Sequence, residues 1–104
     1  MAKIKVIIKR PDEEYGHVCY ISDSLENLQK TVEGYVESLT ISSKLVMLCN
    51  EEGKIMNLPF NFNIPNDFIV GTVIICGRKD DELTDIPIDF AEWKKILDKW
   101  NNNV

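Results

Sequence analysis

His17 and Cys19 stand two residues apart, so on an extended strand both would face one side, and an imidazole beside a thiol is the start of a metal site or of a nucleophilic pair. Nothing continues it. The chain has one histidine and no CxxC or HxxxH, so further ligands have no source and no metal or cofactor is expected. Cys49 and Cys76 are flanked by Leu48 and Ile75, a setting that disfavours the reactive thiolate. With an odd count of three cysteines, each in an apolar run, buried free thiols are expected rather than a disulfide. The acid pairs Glu13-Glu14 and Glu51-Glu52 fall in turns, where carboxylates point into water, whereas acid–base catalysis needs one of them desolvated. There is no GxGxxG, Walker A, GxSxG or HExxH. Residue chemistry therefore gives catalysis no positive support, and no catalytic residue is assigned.

Two constellations suit recognition better. Asn50, Glu52 and Lys54 lie in the turn Asn-Glu-Glu-Gly-Lys, and Phe60, Asn61 and Asn63 follow in a proline-bounded segment that mixes π-faces with amide donors and acceptors. This set is read as a pocket for a ligand or partner. The competing reading lets alternation carry Phe60, Phe62 and Ile64 into the core and leaves the asparagines in turns. The second constellation is the acidic segment Asp80, Asp81, Glu82 and Asp85, which suits a basic partner, against the plainer reading of a solvated loop.

The elements that must position these residues follow from periodicity. Ile4, Val6 and Ile8 alternate with lysines, which predicts a strand over about 3 to 10 with Lys3, Lys5 and Lys9 on its wet face. Pro11, Asp12 and Gly16 mark a turn, and residues 17 to 21 read as the returning strand. Asp23 with Glu26 has capping-box spacing, and Leu25, Leu28 and Val32 recur at helical intervals before Gly34, the expected C-cap. Residues 35–41 and 45–49 are β-rich, and Asn50 to Gly53 suits a type I turn with Gly53 at positive φ before a strand over 54–58. Residues 59 to 67, with two prolines, read as an ordered loop. Residues 68 to 77 form the strongest strand, expected at the centre, with Gly71 marking a bulge or a close approach.

The clearest local signal lies near the end. Ile88, Asp89, Glu92 and Trp93 combine a capping box with a hydrophobic staple, and Phe90, Trp93, Leu97 and Trp100 line one face of the helix that follows, with fraying expected over 101–104. Residues 1–104 thus read as a single α+β domain, a mainly antiparallel sheet of five or six strands with two helices packed on it.

Composition bounds the rest. The chain has 104 residues, 44% of them hydrophobic, and a formal net charge of −5. That excludes intrinsic disorder and opposes binding to a phosphate backbone, so no direct nucleic-acid partner is expected. No apolar run approaches the ~20 residues of a membrane span, and lysines interrupt any N-terminal signal segment, so a cytoplasmic location is expected.

The opening Lys-Val-Ile-Ile-Lys-Arg-Pro, the pairing of Asn50-Glu51-Glu52-Gly53 with Leu58-Pro59-Phe60-Asn61, Val70-Gly71-Thr72, and Pro87 to Trp93 together resemble a family of small bacterial, phage and mobile-element proteins catalogued as domain of unknown function 3846. The resemblance covers about residues 3 to 97. It implies a setting of phages and conjugative elements and brings no established activity or catalytic residue. The expected function is a non-catalytic interaction protein, an accessory or anti-defence factor that binds a host protein, as a monomer or a small homo-oligomer. A small-molecule or nucleotide-sequestering protein is the alternative.

Overall fold

The computed structural model describes residues 3–102. Eight strands and two helices follow in the order β1 (Lys3–Lys9), β2 (His17–Ser22), α1 (Leu25–Val32), β3 (Val36–Thr40), β4 (Leu45–Asn50), β5 (Phe60–Ile64), β6 (Asp67–Val70), β7 (Val73–Lys79), β8 (Glu82–Thr84) and α2 (Phe90–Asn102). Six strands make one antiparallel sheet ordered β2-β1-β7-β4-β3, with β8 beside the far end of β7. β5 and β6 form a separate two-stranded hairpin. The chain is an α+β domain, as its patterning indicates.

The sheet is covered on both faces, which explains why β4 is buried throughout and β7 is buried from Val73 to Gly77. On one face Leu28 and Val32 of α1 pack on Ile4, Val6, Ile8, Val46, Leu48, Ile74 and Cys76. On the other, Trp93 and Leu97 of α2, with Phe62 and Ile69 of the hairpin, pack on Ile7, Met47, Val73 and Ile75. Helix α2 starts as its sequence indicates: Asp89 Oδ1 accepts the Glu92 N–H at 2.8 Å. Trp93, Trp100 and Phe62 then form a cluster with ring centroids 5.9 to 6.2 Å apart. That cluster clamps the hairpin to the sheet.

Several expectations are corrected. Lys9 is not on a wet face: it shares Ile7's side of β1, beneath α2 and the hairpin, and is 2% exposed. Helix α1 is capped by Ser24, whose Oγ accepts the Asn27 N–H at 3.2 Å, rather than by Asp23. Its left-handed C-cap is Glu33 at φ 64°, not Gly34. Residues 51–57 are a compact turn and not a strand, because Met56 N–H bonds Glu52 C=O at 2.9 Å and Leu58 N–H bonds Gly53 C=O at 3.0 Å. Asn57 at φ 57°, rather than Gly53, takes the left-handed conformation there.

The segment 59–67 holds β5 instead of a loop. Pro59 precedes the strand and Pro65 follows it, so neither removes a ladder hydrogen bond. The run 68–77 is two strands in different sheets, divided at Gly71, where φ is 75°. Helix α2 continues through Asn101 and Asn102, Asn101 Oδ1 accepting the Asn63 N–H at 3.0 Å, so fraying does not begin there. The rest of that expectation, on 103 and 104, lies outside the described residues.

Candidate functional site

The recognition residues divide into those that build the fold and those that face water. Asn61 belongs to the first group. Strand pairing passes from Phe60↔Val70 to Phe62↔Ile69, so Asn61 is the extra residue of a bulge. The bulge reverses the alternation: Phe60 turns outward while Asn61 and Phe62 turn inward. Asn61 Nδ2 donates to the carbonyls of Lys9 at 3.0 Å and Gly71 at 2.7 Å, and its Oδ1 accepts from Lys9 Nζ. The Lys9 ammonium also lies 3.4 Å from the Arg10 carbonyl and 5.5 Å from the Phe62 ring centroid. Burial lowers its pKa from the ordinary 10.5, an effect that Glu13 and Asp12 only partly oppose.

Asn50 is a second internal anchor. Its Nδ2 donates to the Val32 and Glu33 carbonyls at 3.1 and 3.2 Å, and its Oδ1 accepts the Glu52 N–H at 2.8 Å. Gly34 makes room for it, since a Cβ there would stand 2.6 Å from Asn50 Nδ2. Leu58 then fits between two glycines: its Cδ1 would lie 2.8 Å from a Cβ on Gly71 and 3.5 Å from one on Gly53. The residues that carry the family resemblance around 50–61 thus form a joint between sheet, turn and hairpin. Asn50 and Asn61 have their amides engaged within it.

Other members of the set stay open. Lys54 Nζ pairs with Asp67 Oδ1 at 2.5 Å and sits 4.3 Å from the Phe68 ring centroid. Hydrogen bonding from Lys54 and the Phe68 N–H outweighs desolvation and lowers the Asp67 pKa. Ile55 is 82% exposed, Phe60 54% and Phe68 42%, with Phe60 and Phe68 in ring contact at 6.2 Å. The residues singled out in the sequence include Lys54 and Phe60 but neither Ile55, expected in a strand and found in the turn, nor Phe68, expected in a central strand and found on the hairpin strand β6. Glu37, Asn50, Glu51, Lys54, Asp67 and Phe68 take part in lining a shallow cavity of about 240 Å³. Glu52 is exposed beside it, whereas Asn63 is half-buried under α2.

The acidic segment is elsewhere. Asp80, at φ 56°, and Asp81 make the turn between Lys79 and its partner Glu82, while Asp85 Oδ1 accepts the Lys5 N–H at 2.8 Å. β7 separates this turn from Gly71, a span of about 20 Å at ordinary strand rise. The two constellations do not converge.

The thiols offer little nucleophilic character. Burial pushes Cys76 up to about 12 and Cys49 to about 11, and raises the half-buried Cys19. His17 Nδ1 meets Glu13 Oε2 at 2.8 Å. Among the described residues no three His, Cys, Asp or Glu side chains gather as a metal site. No described helix is long and apolar enough to cross a membrane.

Fold and site together define a small α+β domain whose polar residues lock a hairpin to the sheet, with Ile55, Phe60 and Phe68 exposed beside that joint. The chain belongs to the family described as Domain of unknown function (DUF3846), whose model matches residues 4–101. No curated protein and no solved structure matches it.

Proposed function

We propose that the chain is a non-catalytic interaction protein that binds a protein partner through the face made by the 51–57 turn and the β5–β6 hairpin. The observation that carries this reading is the exposure of Ile55, Phe60 and Phe68, joined by Met56, above a joint whose own polar groups are satisfied. Apolar side chains held on a fixed scaffold lose little entropy on binding, which suits them as anchors. Glu37, Glu51, Glu52 and Asp67 surround them, and Lys54 is paired with Asp67. A complementary partner therefore presents apolar side chains among Lys and Arg. The cavity is smaller than the roughly 300 Å³ at which small-molecule pockets begin, so it fits a partner's side chain better than a nucleotide. On the setting of phages and mobile elements that the resemblance implies, the partner class we propose is a host protein, a defence component included.

Quantitative affinity capture from bacterial lysate tests this, comparing the unaltered chain with Ile55→Glu, Phe60→Ala and, as a control in the distant turn, Asp81→Asn. A protein retained by the unaltered chain and by Asp81→Asn but lost with both face variants supports the reading. Equal capture by all four, or loss with Asp81→Asn alone, overturns it.

A further inference from the structure

The sheet has two outer strands, β2 and β3, and they are unlike. β3 carries Glu37, with Glu33 and Glu51 next to its ends. β2 reads His-Val-Cys-Tyr-Ile-Ser and has no Lys, Asp, Glu or Pro. It pairs with β1 in unbroken register from Lys3↔Ser22 to Ile8↔His17. Charge, proline and bulges are the devices that keep an edge from pairing with another chain, and β2 has none of them.

The direction of its free backbone groups follows from β1. Lys5 N–H donates to Asp85 Oδ1 and Lys5 C=O accepts the Ile86 N–H, so both groups of Lys5 turn away from β2. Lys5↔Tyr20 is therefore a non-hydrogen-bonded pair, and by alternation so is Ile7↔Val18. Val18 and Tyr20 must then turn their N–H and C=O groups outward. No other described element takes up these groups. Their side chains are exposed as well, Val18 by 40% and Tyr20 by 61%.

We propose that β2 pairs antiparallel with β2 of a second copy of this chain, across a two-fold axis at Cys19 perpendicular to the sheet. Such an axis keeps the α1 side of one copy continuous with the α1 side of the other. It sets Val18 opposite Tyr20 of the second copy as a hydrogen-bonded pair, twice by symmetry, so the outward backbone groups satisfy each other. It also packs a β-branched side chain against an aromatic ring, a favourable cross-strand pair. Two chains of charge −5 repel, and β2 is the edge where no carboxylate lies between the backbones. Glu13, Glu14 and Asp23 lie beyond its two ends, and Glu13 is engaged by His17 and Arg10. Cys19 meets its own copy in a non-hydrogen-bonded pair, where Cα atoms stand about 4.5 Å apart. That separation lies within the span a disulfide bridges.

Light scattering coupled to size-exclusion chromatography across the micromolar range, with diamide cross-linking, tests this. The unaltered chain should run at twice its 12.0 kDa mass. Val18→Lys and Tyr20→Lys, both at exposed positions, should run at the single-chain mass with unchanged circular dichroism. Diamide should accept two electrons and two protons from the paired Cys19 thiols, leaving an S–S bond between chains that forms in the unaltered protein and not in Cys19→Ser. A single-chain mass for the unaltered protein overturns the proposal, as does a dimer that persists in both lysine variants. A dimer that diamide does not link through Cys19 overturns it too.

Discussion

Lys9 and Asn61, 52 positions apart, are bonded twice: the lysine ammonium donates to the asparagine Oδ1, and the asparagine Nδ2 donates back to the lysine carbonyl. Because Nδ2 also holds the Gly71 carbonyl, one amide ties β1, β5 and the link between β6 and β7 together. Asn61→Ala leaves a buried ammonium with the Arg10 carbonyl alone and takes a side-chain donor from the Lys9 and Gly71 carbonyls. The expected loss is about 3 kcal/mol, measured by urea denaturation. A loss within about 0.5 kcal/mol, as for an exposed amide, would show that the bulge does not anchor the hairpin.

The same lysine makes stability depend on pH. Its native pKa lies below the ordinary value of 10.5, so between those two pH values the unfolded chain binds the additional proton. Lys9's contribution is fully present above the unfolded pKa and is lost as pH falls through the native one. Relative to Lys9→Met, the unaltered chain should therefore gain stability as pH rises from the native pKa of Lys9 to its ordinary value of 10.5. Paired denaturation curves at several pH values check the sign; a difference that shrinks with rising pH would contradict the buried charge.

The layer architecture was legible because β1, β7 and α2 carry their periods openly, and the Asp89 cap and the α2 aromatic face were read correctly. The hairpin was not. Alternation from Phe60 to Ile64 is broken by the bulge at Asn61, and a bulge is set by the register with the partner strand β6, which the pattern of β5 alone does not carry. Lys9 was misread for a related reason: a lysine at a polar position of an alternating strand looks solvated unless a second layer covers it. Phe68 does lie in a strand, β6, but on its open side, because β-propensity does not show which side of a hairpin faces water, whereas Ile55 falls in the 51–57 turn.

Gly34 and Asn50 should behave as a coupled pair. Asn50→Ala removes an amide that closes α1 and the 51–57 turn together, at a cost of about 2 kcal/mol. Gly34→Ala crowds the same amide and should cost about 1 to 3 kcal/mol in the unaltered chain. In the Asn50→Ala background the added methyl meets less, so the double variant should be more stable than the sum by at least about 0.5 kcal/mol. Simple additivity in a thermodynamic cycle would place the clash elsewhere.

Trp93 is the centre of the α2 interface. It is wholly buried, in ring contact with Phe62 and Trp100, and its Nε1–H donates to the Tyr15 carbonyl at 2.8 Å. Trp93→Ala should cost about 3 to 5 kcal/mol. Asp89→Ala, which removes only the cap, should cost about 1 kcal/mol. Denaturation midpoints rank the two, and an equal effect would mean that α2 docks by something other than its aromatic face.

Two glycines that contact Leu58 differ in what an added methyl would disturb. Gly53 is not at positive φ; its Cβ would stand 2.9 Å from Val70 Cγ2, so Gly53→Ala is a matter of crowding. Gly71 is at φ 75°, and its Cβ would also meet Leu58 Cδ1 at 2.8 Å, so Gly71→Ala combines crowding with backbone strain. Each variant should lose more than about 1 kcal/mol on its own. Trimming the neighbour separates the causes. Val70→Ala should remove most of the Gly53→Ala penalty, giving a coupling of at least about 0.5 kcal/mol in the double variant. Leu58→Ala should leave about 1 kcal/mol of the Gly71→Ala penalty in place, because shortening a side chain does not change φ. If Leu58→Ala instead rescues Gly71→Ala completely, the left-handed backbone at Gly71 is not what divides β6 from β7, and close packing under Leu58 is.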